Sequence, residues 1–353
     1  MTDLTFLMAG GGTGGHVIPA IAVARELRSR GHCVSFIGTE SGMESKLVPA
    51  AGFPLETIRI GGLNRVGLRQ TLLTLARLPF ATLSSTRCVR AAAAVFSMGG
   101  YVAGPPVMAA LLCRVPVVVM EPNAVPGFTN RSISRLVARA LVSFPQTVAF
   151  FPAGRTEVTG LPVREEFFHL PPRVPTGPLH LLITGGSQGS RTLNHAAMRS
   201  WPLFRHAGFP IRITHQTGAR DFAEVRDAFA ASGLEGEVAP FLADMPAAFA
   251  ACDLVVCRSG AGAVSELAAA GKPSILVPLP YAADDHQARN AQALEHARAA
   301  RLVRDADLTG EMLFQAVTQM VADLGPMGQA ARQFAKPGAA RRAADVLEEV
   351  ARA

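Results

Sequence analysis

The sequence predicts an α/β fold of two Rossmann-like, doubly wound parallel-sheet domains that face a central cleft. Three observations carry that prediction. The chain has 353 residues, 49% of them hydrophobic, which is too long for one ordinary domain and apolar enough for two cores. Its opening is echoed within it: Leu4–Ala9 runs into Gly10-Gly-Gly-Thr-Gly-Gly-His16, and Leu179–Thr184 runs into Gly185-Gly-Ser-Gln-Gly-Ser-Arg191. Each is an apolar strand, a glycine turn and a helix start, the beginning of a doubly wound domain. Short apolar strands then alternate with helical stretches, which implies parallel sheets.

Taken in order, the first half offers strands at Leu4–Ala9, Cys33–Ile37, Ala94–Phe96 and Val115–Met120, and helices at Ala20–Arg30 and across Leu68–Arg90. Pro79 argues against one regular helix in the last of these. The second half offers strands at Leu179–Thr184, Ile211–Thr214, Asp253–Cys257 and Ser274–Pro278, with a helix at Leu193–Ser200. The boundary is expected near Thr159–Arg164, followed by the proline-rich stretch Pro171–Pro178. This gives domains at 1–163 and 164–340, and a terminal helix at 341–353.

Composition excludes several classes. The longest uncharged run, Ala91–Cys113, contains Gly99-Gly100, Gly104 and Pro105-Pro106, which argue against a spanning helix despite a mean hydropathy of +0.25. No basic-apolar-small leader opens the sequence. The five cysteines (33, 88, 113, 252 and 257) are odd in number and form no Cys-x-x-Cys pair. Reduced thiols in a cytosolic protein are therefore expected, with neither a disulfide framework nor a zinc site. No Gly-Lys-Ser/Thr follows a glycine loop, so P-loop NTPases are excluded. Charge is unevenly spread. Residues 1–163 carry 15 basic against 7 acidic residues, while 164–353 carry 19 against 20. The basic first half favours an anionic partner: nucleic acid, anionic lipid or a phosphorylated substrate.

Several loops carry candidate chemistry. Gly10, Gly12 and Gly15 fit G-x-G-x-x-G, whose bare backbone lets helix-start N–H groups approach an anion or a sugar. A dinucleotide enzyme would also want an acid closing the second strand, and Glu40 is a poor candidate for it. His16 follows the loop. At a helix N-terminus it is either a neutral proton acceptor or a structural donor. Ser97–Pro105 is a second glycine loop between a strand and a helix. Arg258-Ser-Gly-Ala-Gly-Ala-Val-Ser-Glu266 opens a helix whose N–H groups can hold a diphosphate, with Glu266 placed to accept from ribose hydroxyls. Gln287 and Asn290 share a helix face and suit a hydroxyl-rich ligand. Asp305-Ala-Asp307 reads as a helix cap rather than a metal-binding D-x-D. Leu68–Arg90 mixes apolar residues with arginine and has no acid. It is either a core helix or a surface for an anionic membrane.

Taken together and in order, Gly10–His16, Met98–Pro105, Glu121-Pro-Asn123, Pro162-Val-Arg164, Gly185–Gly189 and Cys257–Glu266 closely resemble the peptidoglycan N-acetylglucosaminyltransferases of glycosyltransferase family 28. The resemblance implies a GT-B fold and inverting transfer of GlcNAc from UDP-GlcNAc to the MurNAc 4-hydroxyl of lipid I, giving lipid II. A related glycolipid synthase with another acceptor is the alternative. On the second domain it implies donor contacts from Arg164, Ser187, Leu242 (through its backbone at uracil), Ala261, Gly262, Ala263, Val264, Ser265, Glu266 and Gln287. Asn123, Thr13, Gly14 and Gly15 would reach the donor from the first domain. His16 is the candidate base, and Glu121 would orient a hydroxyl. Arg69, Leu72, Leu75, Arg77, Phe80, Arg87 and Tyr101 would serve the acceptor and an anionic membrane surface. No metal, cofactor or nucleic acid is implied. A peripheral place on the cytoplasmic face of the inner membrane is implied, beside other cell-wall synthesis enzymes. The sequence departs from the family pattern at Pro122, Leu161 and His286, while Asn123, Arg164 and Gln287 keep it.

Overall fold

A computed structural model describes residues 3–61, 68–171, 177–282 and 285–353. Asp284 and positions 172–176 of the proline-rich stretch lie outside the described residues, as do the side chains of Arg69, Leu72 and Leu75. The chain divides into two compact units, Met1–Val163 with Gly338–Ala353, and Arg164–Pro337.

The first unit contains strands β1 (Thr5–Ala9), β2 (Cys33–Gly38), β3 (Leu55–Thr57), β4 (Ala94–Ser97), β5 (Val117–Glu121), β6 (Arg139–Val142) and β7 (Thr156–Val158). Its helices are α1 (Gly14–Ser29), α2 (Glu44–Ala50), α3 (Leu68–Arg90), α4 (Gly100–Cys113) and α5 (Phe128–Ile133). All seven strands pair in parallel, in the order β3-β2-β1-β4-β5-β6-β7. The order reverses between β1 and β4. Their connections leave in opposite directions, so a crevice opens at their carboxyl ends. The central strands are buried along almost their whole length, as parallel strands covered on both faces are.

The second unit contains β8 (Leu179–Thr184), β9 (Ile211–Gln216), β10 (Glu235–Ala239), β11 (Leu254–Cys257), β12 (Ser274–Leu276) and β13 (Ala300–Leu302). Its helices are α6 (Arg191–His206), α7 (Phe222–Ser232), α8 (Met245–Ala251), α9 (Ala261–Ala270), α10 (His286–His296), α11 (Gly310–Met320) and α12 (Leu324–Gln333). The parallel order β10-β9-β8-β11-β12-β13 places this unit's reversal between β8 and β11. Its core packs Leu181, Ile183, Val256 and Ile275 from the sheet against Trp201 and Phe204 of α6 and Leu313 and Val317 of α11.

A last helix, α13 (Ala339–Arg352), belongs to the first unit. Its buried stripe of Ala343, Ala344, Val346 and Leu347 carries the attachment. Arg30 pairs with Asp345 at 2.7 Å, and Arg342 with Glu157 at 2.8 Å. Such half-exposed pairs add little energy each but fix the helix register. His32 completes the register. The Leu4 N–H donates to its Nδ1, so Nε2 carries the hydrogen that Glu348 accepts at 3.0 Å.

Two helices differ from the sequence expectation. α1 begins at Gly14 rather than Ala20, because buried Val17, Pro19, Ala20, Ile21 and Ala24 hold the first turns against the sheet in spite of glycine and proline. α3 runs unbroken through Pro79. Thr82, Ser85 and Thr86 donate to carbonyls a turn back, and buried Ala81, Ser85 and Val89 form a stripe in a helix that packs on α4. Ala91–Cys113 resolves into a turn, β4 and the 14-residue α4. Among the described residues no helix is long and apolar enough to cross a membrane.

Candidate active site

Both reversal points carry glycine loops. In the first unit the loop after β1, Gly10–Thr13, lies against the loop after β4. A Cβ on Gly10 would come within 2.9 Å of Met98 Cβ, and one on Gly100 within 3.2 Å of the His16 ring. Gly12, Gly99 and Gly100 hold φ of 82°, 76° and 77°, the left-handed region that favours glycine. The Tyr101 ring covers the space beside Gly12. Thr13 precedes α1 as its N-cap, and its carbonyl accepts from the N–H groups of His16 and Val17. Thr13 and Gly15 are exposed. His16 Nδ1 lies 3.3 Å from the Gly11 carbonyl. A carbonyl only accepts, so Nδ1 carries hydrogen and Nε2 is the basic nitrogen of the neutral ring.

Changing Gly100 to Ala is expected to move this imidazole. The added Cβ meets the ring, and a side chain at that φ costs about 1–3 kcal/mol. A lower Tm and a shifted His16 ring signal in histidine NMR spectra are the expected readings.

Among the described residues two buried acids, Glu121 and Glu44, lie at this end of the sheet. Glu121 is buried, and its carboxylate accepts from Asn123 N and Nδ2, Gly127 N and Asn130 Nδ2 at 2.9–3.2 Å. Burial pushes its carboxyl up to about 7 against the pull of those donors. The Asn123 amide is turned back on Glu121 in this structure, and the Asn123 carbonyl accepts from Thr147. Both residues therefore shape one loop. The second acid is Glu44, which sequence reasoning missed. Glu40 is exposed, whereas Glu44 is fully buried. Its Oε1 accepts from Thr39 N and Oγ1, and its Oε2 from Gly12 N at 2.7 Å. Burial alone would raise this carboxyl. The hydrogen bonds from Thr39 and from the N–H groups of Glu44, Thr39 and Gly12 outweigh burial and hold it below the ordinary value. No feature of Gly42-Met-Glu44 in the sequence says which loop the acid will face.

In the second unit the loop Gly185–Gly189 is pressed on the end of β9. A Cβ on Gly189 would overlap the Thr217 carbonyl, and one on Gly218 the Gln188 carbonyl. Ser187 is exposed on this loop. Gln216 ties it to a neighbour: its Nε2 donates to Gly186 O, and its Oε1 accepts the Leu242 N–H at 2.8 Å. The Leu242 N–H is thus engaged, which leaves its carbonyl as the backbone group open to a partner.

The loop after β11 leads into α9, with Gly260 as N-cap. The Val264 N–H already donates to the Gly260 carbonyl. The open donors are accordingly Ala261, Gly262 and Ala263, not the whole run to Ser265, because only the first turn of a helix lacks internal acceptors. Val264 faces the core, and Ser265 can contribute only a hydroxyl. Glu266 lies 3.6 Å from the Arg164 guanidinium, which also stacks over the Phe167 ring. Burial pushes the Glu266 carboxyl up to about 7, with Arg164 pulling the other way. Gln287 accepts from Leu279 N at 3.0 Å, and buried Asn290 donates to Ser259 O.

Arg258 joins these loops. It donates to Val277 O, Pro278 O, Asp305 and Ser190 Oγ, the N-cap oxygen of α6. Asp305 also accepts from Thr192. It is an ion-pair partner rather than the expected cap; α11 is capped by Thr309. Arg258 stands inside a motif legible in the sequence, but its partners are 19 to 68 residues away. Among the described residues no group of three or more His, Cys, Asp or Glu is placed to hold a metal ion.

Two Rossmann-like parallel sheets with a glycine loop at each reversal point make up the GT-B glycosyltransferase architecture. The N-terminal domain model of glycosyltransferase family 28 matches residues 6–142, and the C-terminal domain model matches 180–348. The chain belongs to glycosyltransferase family 28. A relative from Solibacter usitatus is 74% identical over 99% of this chain and 97% of its own length. One from Anaeromyxobacter is 42% identical over 99% and 94%. Both are named UDP-N-acetylglucosamine–N-acetylmuramyl-(pentapeptide) pyrophosphoryl-undecaprenol N-acetylglucosamine transferase. The crystal structure of Acinetobacter baumannii MurG matches with a TM-score of 0.83 and 36% identity, covering 98% of this chain and 100% of that one.

Proposed function

We propose that this glycosyltransferase moves GlcNAc from UDP-GlcNAc to the MurNAc 4-hydroxyl of lipid I, with inversion, to give lipid II. The relatives' names supply the substrates. The observation in this chain that carries the reading is the start of α9 at the β8–β11 reversal point, three open N–H groups with Glu266 one turn further on.

The second unit takes the donor. Ala261, Gly262 and Ala263 donate to the diphosphate through the backbone, where the helix dipole favours negative charge. Ser187 and Arg164 add a hydroxyl and a cation. Glu266 accepts from the ribose hydroxyls, the Leu242 carbonyl accepts from uracil, and the Gln287 amide faces the sugar. The first unit takes the acceptor. His16 Nε2 removes the proton from the attacking hydroxyl as oxygen bonds to the anomeric carbon and the bond to the diphosphate breaks. Charge on departing UDP is met by the α9 N–H groups and Arg164. Thr13, Gly14 and Gly15 line the loop beside the base, and Tyr101 walls it. Glu121 holds Asn123 in its loop.

The acceptor ends in a lipid, and the first unit has a surface suited to one. Side by side, α3 exposes Phe80 (75%) and Leu83 (69%), and α4 exposes Met108 and Leu112 (75%), with Arg77, Arg87 and Arg90 exposed on α3. This apolar surface with its arginines docks on an anionic bilayer, placing the enzyme peripherally on the cytoplasmic face of the inner membrane. Each arginine near such a surface adds about 1 kcal/mol. Arg77→Glu with Arg87→Glu is therefore expected to lower partition onto phosphatidylglycerol vesicles by more than tenfold, with UDP-GlcNAc affinity retained. Undiminished partition would remove this docking surface.

The activity is tested by transfer of labelled GlcNAc to a lipid I analogue, with and without EDTA. A β-1,4-linked product that forms in EDTA supports the reading. No transfer, with UDP-GlcNAc binding intact, points to another acceptor.

A further inference from the structure

The Gly11–Gly12 peptide is held at both ends. Its N–H, on Gly12, donates to Glu44 Oε2 at 2.7 Å. Its carbonyl, on Gly11, faces His16 Nδ1 at 3.3 Å. One amide group thus stands between a carboxylate and an imidazole. The position is built for this contact: a Cβ on Gly11 or on Gly42 would overlap the Glu44 carboxylate, and Gly12 holds a φ of 82°.

We infer that Glu44 is a positioning residue for catalysis that acts on His16 through the Gly11–Gly12 peptide. Amides polarise along their resonance axis. A carboxylate drawing on the N–H moves electron density onto the carbonyl oxygen and makes it a better acceptor. The Gly11 carbonyl then holds the Nδ1–H tautomer and stabilises the imidazolium that forms when Nε2 takes the substrate proton. This is the service a carboxylate gives a catalytic histidine by direct contact in hydrolase triads, delivered here across one peptide group. The hydrogen bond from Nδ1 is long in the resting protein, and such bonds tighten as charge develops on the ring.

The surroundings agree. The Glu44 carboxylate is fully buried and receives neutral donors, Thr39 Oγ1 and the N–H groups of Thr39, Gly12 and Glu44 itself. Those donors hold it ionised at neutral pH. Among the described residues no basic side chain pairs with it, so its charge is not spent on a salt bridge. The titratable groups brought to this cluster are Glu44 from the loop after β2, His16 from α1 and Tyr101 from α4, whose ring lies beside Gly12. A loop pin alone would need no charge; a buried asparagine or serine could accept from Gly12 N.

The inference rests on His16 being the base, and the test separates the two. Glu44→Gln keeps the shape and an acceptor oxygen but removes the charge. It is expected to lower kcat roughly tenfold, a fraction of the 10²–10⁴ that acid–base catalysis contributes, with KM for UDP-GlcNAc unchanged. The acid limb of the kcat profile moves to lower pH, because the imidazolium has lost its distant counter-charge. ¹⁵N-histidine spectra report the same shift in His16 titration without any turnover. Thr39→Val carries the test if Glu44→Gln fails to fold. It frees one carboxylate oxygen from a donor, strengthens the pull on Gly12 N, and moves the titration the opposite way. In a His16→Gln background Glu44→Gln is expected to have no further effect on kcat. An unshifted His16 titration in the folded variants, or Glu44 and His16 effects that simply multiply, overturns the relay. A His16→Gln enzyme of full activity overturns the base assignment instead, whatever the spectra show.

Discussion

His16→Gln is expected to lower kcat by about 10²- to 10⁴-fold, while uridine and UDP-GlcNAc bind as before. Glutamine keeps a donor for the Gly11 carbonyl but offers no nitrogen that can take a proton at neutral pH. The ring it replaces is held by the Gly11 carbonyl on one side and by the missing Cβ of Gly100 on the other, so the change removes chemistry more than architecture. Steady-state transfer to a lipid I analogue measures it. A variant with kcat within a few fold of the parent would move the base to another residue. The residues proposed to hold the donor lie in the other unit and should not respond.

The second large effect belongs to Glu266. Its carboxyl is pushed up to about 7 by burial, against the Arg164 guanidinium. Ribose hydroxyls are donors, and only the ionised carboxylate accepts from both. Binding therefore favours the deprotonated form and must tighten as pH rises through the free protein's value. Uridine is the clean probe, since it carries no titrating phosphate. Its affinity is expected to rise roughly tenfold between about pH 6 and 8, following the ionised fraction of a group near 7. Glu266→Gln removes one acceptor and the charge. It should weaken binding about 10- to 100-fold at pH 8, the span for a charge-assisted hydrogen bond of about 1.5–3 kcal/mol, and flatten the pH dependence. A pH-independent wild-type affinity would mean that the ribose does not meet this carboxylate.

The parts of this protein that could be read early are those where one short segment does the whole job. A buried strand, a glycine turn and a helix start lie within twenty residues, so β1 with α1 and β8 with α6 are visible as patterns. The same holds for the start of α9, where Gly260 and the small residues after it sit directly behind β11. Edge elements were harder. β10 reads Glu-Gly-Glu-Val-Ala and is largely exposed, so it has no apolar run to announce it. It is a strand because β9 offers it a ladder, and Gly236 approaches the Ile213 backbone too closely for any Cβ. β7 is likewise a three-residue edge strand, paired with β6 alone.

Site residues divide the same way. His16, Glu266 and Gln287 sit in or beside strand-end loops and declare themselves by position. Val264 shows the limit of reading a motif as a run: helix geometry, not residue type, decides that its N–H is already used. Glu44, Gln216 and Arg258 act on partners from other loops, and nothing in their own segments names those partners.

What the sequence by itself determined, then, is the pair of parallel α/β domains, the glycine loops at their strand ends and the family to which they belong, because each follows from local pattern and spacing. Only the tertiary structure decided which acid reaches the glycine loop beside His16, which arginine ties the strand ends of the second unit together, and which N–H groups remain open to a ligand. Those depend on strand order. Placing β2 beside β1, and β11 between β8 and β12, brings side chains dozens of residues apart within hydrogen-bond reach. No pattern confined to one segment encodes that.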